Sequence, residues 1–288
     1  MRGRRRGRRH RGFRPAARVR GRADAPQHPG GAAQPLGLPA VTSVRLPLFP
    51  LNSVLFPGLV LPLNVFEARY RALMRDLGER PEDERRFGVI AIRDGREVAP
   101  TAQGMPDATA PAADGPAAGF GEDPMAAFHT IGCVADATTI RAKSDEADAG
   151  YEVLATGTTR FRLLSVDASG PYLTAEVEEL TEEGGEGAGA LASGVVRAFR
   201  TYQKRLAWAN ERTLAGGQDL PGDPSVLSYL VAAAAVLDVP AKQQLLAAPD
   251  TADRLGQELK ILRQETAVLG KLPSLPAVEL TRRPTSPN

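Results

Sequence analysis

The chain has 288 residues, 42% apolar and 24% charged, with a formal net charge of +2 and a single cysteine, Cys133. That is material for one domain of two lobes, since single cores stop growing only near ~250–300 residues. One cysteine excludes an internal disulfide framework and fits a reducing cytoplasm, and no apolar run approaches the ~18 residues of a membrane span, so no membrane partner is expected.

The net charge hides an asymmetry. Residues 1–22 hold eleven arginines and no acid, so residues 23–288 carry 25 basic against 34 acidic side chains, a formal −9. The main body is therefore acidic, which argues against a broad phosphate-binding face. Residues 1–43 are rich in Arg, Gly, Pro and Ala with few large apolar side chains; they cannot repay the entropy of ordering and are expected to be disordered. The run RGRRRGRRHRGFR suits nucleic acid or an acidic partner, and nucleic acid is expected only through this tail. No apolar h-region follows it, so it is neither a secretory nor a twin-arginine signal. An equal alternative makes Val41 the true start, read from a valine codon, with residues 1–40 untranslated.

From Arg45 the pattern changes. In RLPLFPLNSVLFPGLVLPLNVFEARYRALM, Pro47, Pro50, Pro57 and Pro62 fix φ and remove donors, which places them at strand edges and turns, and Pro57-Gly58 signals a turn. Asn64 with Glu67 three residues on approximates a capping box, predicting a helix from Asn64 with Phe66, Tyr70, Leu73, Met74 and Leu77 as its apolar stripe. Phe87 to Ile92 reads as a buried strand. Residues 101–128 are rich in Ala, Gly, Pro and Asp and read as a flexible insertion. Tyr151–Thr156 and Arg160–Val166 read as two strands joined through Gly157. In Tyr172–Glu178, alternation puts Leu173, Ala175 and Val177 inward and Tyr172, Thr174, Glu176 and Glu178 outward.

Gly184 to Gly189 form a joint before the period turns helical. Val195, Phe199, Tyr202 and Leu206 mark a first helix; Asp223-Pro224 caps a second; Pro240 opens a short third ending near Ala248; Thr251 caps the last, lined by Leu255, Leu259, Leu262 and Leu269. Trp208 reads as a packing or surface residue. Residues 273–288 are expected to be a disordered tail.

Catalytic chemistry is mostly excluded. Phosphate cradling by a G-K-[ST] turn is not available, because the only Gly-Lys pair, Gly270-Lys271, precedes Leu272. Ser144 beside Lys143 lies in a polar loop where the lysine should be solvated, unlike a serine-lysine dyad. His129 is the only histidine outside the tail, so with one cysteine no usual zinc site can form and no cofactor is expected. Cys133 reads as a small buried hydrophobe. The pairs Glu178-Glu179 and Glu182-Glu183 read as solvated charges.

The block Arg45–Met74 resembles the opening of the Lon protease N-terminal domain, the family's substrate-binding module. Residues 129–180 resemble its second block, with G-C-V-A-D at Gly132–Asp136 and G-x-x-R-F-R-L at Gly157–Leu163. The resemblance spans about Val44 to Leu272. It implies an α+β protein: a PUA-like β pseudobarrel lobe with one helix (44–182), then a C-terminal α-helical bundle lobe (189–272). It also implies a member lacking the ATPase and peptidase modules, hence no enzyme.

The implied ligands are exposed apolar segments of unfolded or damaged polypeptides, with a protease or chaperone as a further partner. Candidate contact residues are Leu48, Phe49, Pro50, Leu51, Phe56, Pro57, Leu63 and Phe66; the competing reading is that these lock strand turns into the core. Burying ~400 Å² at ~25 cal/mol per Å² yields about 10 kcal/mol, against roughly 4–15 kcal/mol for association and ordering, so one site should bind weakly. Two other classes stay open: an RNA-binding PUA-like protein, against which the acidic body and absent aromatic-basic interleaving count, and a small-molecule scaffold like the thalidomide-binding ubiquitin-ligase receptors, whose zinc-site cysteines are absent.

Overall fold

Prolines determine how the first strand is shared between two neighbours. Strand β1 (Ser43–Leu51) pairs antiparallel with β6 (Thr174–Glu179) through Ser43–Pro47 and parallel with β3 (Arg86–Ala91) through Leu48–Leu51. Leu48 N donates to Leu173 O at 2.8 Å and Leu51 O accepts from Ile92 N at 2.9 Å, so even residues address β6 and odd ones β3. Pro47 thus turns its donorless nitrogen toward the β3 side before that pairing begins, and Pro50 turns its own toward β6 after that pairing has ended. Both prolines lie inside a strand of the sheet, each where one flank is open.

The computed structural model describes residues 43–93, 115–144, 150–209 and 219–270; residues 1–42 of the expected N-terminal tail, the expected C-terminal tail and residues 101–114 of the expected insertion lie outside them, and Ser43 opens the first strand. Strands β2 (Val60–Val65), β4 (Ile131–Ala142) and β5 (Tyr151–Asp167) complete a six-stranded mixed sheet of order β2-β5-β4-β3-β1-β6, and β6 returns to pair with β5. Five strands therefore close a ring, and β2 lies outside it on β5.

The two strands expected on either side of Gly157 are one 17-residue strand. Its first half pairs with β2 and its second with β6, and Gly157 marks the handover. A Cβ there would sit 2.5 Å from Phe56 O, and one on Gly132 would sit 2.3 Å from the Phe161 ring and 2.6 Å from Val89 O. Both glycines exist for close approach, so the local reading of Gly157 as a strand break misidentified its purpose.

Helix α1 spans Ala68–Gly78 with Glu67 at its N-cap, and Asn64 is still in β2, opposite Glu152. Ladder pairing overrides the approximate capping box. Tyr70, Leu73, Met74 and Leu77 are buried as the period predicts, each contributing about 1.5–3 kcal/mol. Phe66 is 51% exposed and stands off the stripe. Against this helix pack Phe49, whose ring stacks on Tyr70 at 4.4 Å, and Phe87.

The second part of the expected flexible insertion is structured. Phe120, Ala127 and Phe128 are buried in a cluster with Leu48, Ile90 and Phe161. Buried Arg69 anchors the segment by donating to Pro116 O at 3.1 Å and Ala118 O at 2.8 Å, with its guanidinium 5.2 Å from the Phe120 ring centre. Tyr172, expected outward, is 8% exposed and donates to Asp76 Oδ2 at 2.7 Å, while Leu173, Ala175 and Val177 are inward as read.

Among the described residues four helices follow: α2 (Ala188–Ala209), α3 (Pro224–Ala234), α4 (Val239–Leu246) and α5 (Thr251–Leu269). Asp223, Asp238 and Asp250 cap α3, α4 and α5; Asp250, one residue before the expected Thr251, accepts from Asp253 N at 2.8 Å. Val195, Phe199, Tyr202, Leu227, Leu255 and Leu262 share one core. A further cluster joins helices to sheet through Phe56, Ile131, Tyr229, Leu245 and Leu246.

Candidate functional site

The loop after β6 carries the charge that fixes helices to sheet. Glu182 accepts from Arg160 Nη2 at 3.0 Å, from Thr251 Oγ1 at 2.8 Å, from Tyr229 OH and from Arg254 Nη2. Arg160 of β5 also donates to Leu246 O at 3.0 Å and Ala248 O at 2.5 Å, and Arg254 of α5 donates to Ser228 Oγ at 2.8 Å with its guanidinium 3.9 Å from the Tyr229 ring centre. Burial alone would raise the Glu182 carboxyl, but the Tyr229 hydroxyl, the Arg254 charge and Thr251 outweigh it and hold it below the usual range. Burial pushes Tyr229 up.

Glu182 was expected to be solvated; instead it is a clamp. The two arginines that hold it lie in other elements, so only the glutamate's place in an acidic linker was visible locally. Glu178 and Glu179 are also paired, with Arg162 and Arg86, both at 2.6 Å.

A groove of about 350 Å³ lies over this junction, lined by Pro57, Gly58, Thr158, Thr159, Ser225 and Val226, with Arg160, Glu182 and Tyr229 at its base. From Pro57 the chain runs directly into β2, which pairs with β5 alone. Gly157 N donates to Leu59 O at 2.9 Å, so odd residues address β5 and the backbone groups of Val60, Pro62 and Asn64 point away. Val60 is 58% exposed, and Leu154, across from Pro62, is 42% exposed. A second groove, about 340 Å³, is lined here by Pro62, Leu63, Asn64, Thr139, Arg141 and Leu154. Phe66 ends the track, with Lys143 Nζ 4.6 Å from its ring centre.

The expected contact residues separate into two groups. Leu48, Phe49, Pro50, Leu51 and Phe56 are buried and belong to the core, which corrects their placement at a surface site. Pro57 and Leu63 are half-buried and line the two grooves, and Phe66 is exposed. Sequence reasoning missed Val60 and Leu154, whose exposure follows from β2 lying outside the ring.

Among the described residues no group of three or more His, Cys, Asp or Glu is placed to hold a metal ion, and no helix is long and apolar enough to cross a membrane. Cys133 is buried and its thiol is pushed up to about 12 by burial, which makes it inert as a nucleophile.

A ringed mixed sheet with one intervening helix and four following helices defines an α+β protein of the Lon N-terminal kind. The N-terminal domain of Lon protease from the Mycobacterium avium complex has this fold at a TM-score of 0.50, with 18% identity over 78% of this chain and 98% of that one. The chain belongs to the family of the ATP-dependent protease La (LON) substrate-binding domain, whose sequence model matches residues 45–264. It is 28% identical to Lon protease of Anaeromyxobacter dehalogenans over 81% of its own length, and 26% identical to Lon protease 2 of Myxococcus xanthus over 78%. The matched part is 24% of the length of each of these relatives.

Proposed function

We propose that this chain is a non-catalytic module that recognises exposed apolar segments of unfolded or damaged polypeptides and serves Lon-type protein quality control in the cytoplasm, alongside a protease or chaperone. In this reading residues 44–182 form a PUA-like pseudobarrel lobe and residues 189–272 a helical bundle lobe that braces it. The observation that carries the proposal is the row of apolar side chains left in solvent along β2: Val60, Leu154 across the strand pair, and Phe66. Pro57 lines the groove before β2, and Leu63 and Leu154 line the groove along it. Exposed apolar side chains gathered on one strand pair favour an interaction site.

The edge of β2 also constrains how a client is held. Pro62 has no N–H where a added strand would need one, so continuous strand addition is interrupted and side-chain contacts carry recognition. Binding at one such site is weak, and avidity from several copies or a partner raises it.

The test is fluorescence anisotropy of the full chain with a labelled unfolded polypeptide and a labelled single-stranded RNA. Polypeptide binding that tolerates salt and drops about tenfold in Val60→Asp or Leu154→Asp, with unchanged melting temperature, supports the proposal. Binding of RNA alone, or polypeptide binding indifferent to both substitutions, overturns it.

A further inference from the structure

Helix α2 carries Arg197, Arg200, Lys204 and Arg205 and no acidic side chain, in a body whose formal charge is −9 over residues 23–288. Three of the arginines on α2 and α5 are gathered at one place. Arg197, Arg205 and Arg263 line a groove of about 570 Å³ between the two helices. None of the three has a carboxylate partner among the described residues, and no Asp or Glu lines the groove.

The floor is apolar. Leu259, Leu262, Ala198 and Ala267 form it, with Gly194 beside Leu259. Helical spacing carries the α2 face from Gly194 through Arg197, Thr201 and Arg205 to Trp208, the only tryptophan, which is 56% exposed.

We infer that this groove docks an acidic amphipathic helical segment of another polypeptide, its apolar face on the leucines and its carboxylates on the three arginines. Both termini outside the described residues are ruled out as occupants by charge: residues 1–22 have eleven arginines, and residues 271–288 have three basic side chains against one acidic. A nucleic acid would waste the floor, since phosphates call for donors where the leucines lie. The apolar floor together with a basic rim is the complement of a helix with one leucine face and one glutamate face. This groove is separate from the β2 track, so either site can fail without the other.

The experiment titrates the full chain, followed by Trp208 emission, with a tryptophan-free synthetic amphipathic helix bearing a leucine face and a glutamate face. Its control replaces every glutamate by lysine. The acidic helix is expected to bind saturably, to weaken as salt rises from about 50 to about 300 mM, and to lose roughly tenfold or more in affinity in the Arg197→Glu, Arg263→Glu double variant. Both arginines are exposed, so the variant keeps its fold, checked by circular dichroism. Leu154→Asp leaves this affinity unchanged. Equal binding of the lysine helix, indifference to the double variant, or tighter binding of single-stranded RNA at the same arginines overturns the inference.

Discussion

Glu182 bears heavily on stability, because two nearly buried guanidinium groups pair with it. Neutralising it in Glu182→Gln leaves Arg160 and Arg254 without a counter-charge, and a loss of about 3–5 kcal/mol is expected in urea unfolding at neutral pH. The pH dependence has a definite sign. A carboxyl held below its ordinary 4.5 contributes stability above that value and loses it as pH falls toward the lowered folded value, so the wild type weakens below about pH 4.5 and Glu182→Gln lacks this component. Glu258 acts in the opposite sense. Burial pushes it up to about 9, and neither of its oxygens has a hydrogen-bond partner. Its folded value exceeds its unfolded 4.5, so stability drains as pH rises from 4.5 to about 9, at up to about 1.4 kcal/mol per unit. Glu258→Gln is expected to raise the melting temperature at pH 8 and change it little at pH 4, as calorimetry at the two pH values will show.

Among the elements, local signals predicted some segments and tertiary contacts decided others. The capped helices α3 and α4 were legible because aspartate and proline at a helix start act within a few residues. Asn64 and Gly157 were misread because their roles depend on distant partners: Glu152 across a ladder, and Phe56 O against a bare Cα. Gly157→Ala and Gly132→Ala are expected to destabilise by several kcal/mol or prevent folding, since backbone oxygens at 2.5 and 2.6 Å cannot move aside as flexible side chains do. Phe56→Ala is expected to cost about 3–5 kcal/mol, its ring being 1% exposed, and any accompanying loss of client binding should track unfolding measured on the same sample.

For the whole molecule, the family was legible because the proline-spaced opening block is followed by a second block that carries both structural glycines, Gly132 and Gly157. The site was legible only in part: Pro57, Leu63 and Phe66 were reachable from apolar content in a turn, but composition does not distinguish a phenylalanine under a sheet from one beside it. Val60 and Leu154 needed the ring to be drawn first, because exposure of β2 is a property of the closed sheet. The three-arginine groove is likewise a product of tertiary arrangement, with its residues more than fifty positions apart in sequence between Arg205 and Arg263.

The closure of the ring has a consequence during synthesis. Ser43 pairs with Glu178, so the first strand leaves the ribosome long before its β6 partner exists. At ~5–20 residues per second that interval is roughly 7–27 s, during which the Ser43–Pro47 half of β1 has no ladder partner. A nascent chain halted before Thr174 therefore leaves Leu46 without its partner Ala175 and resembles the damaged polypeptides proposed as its own clients.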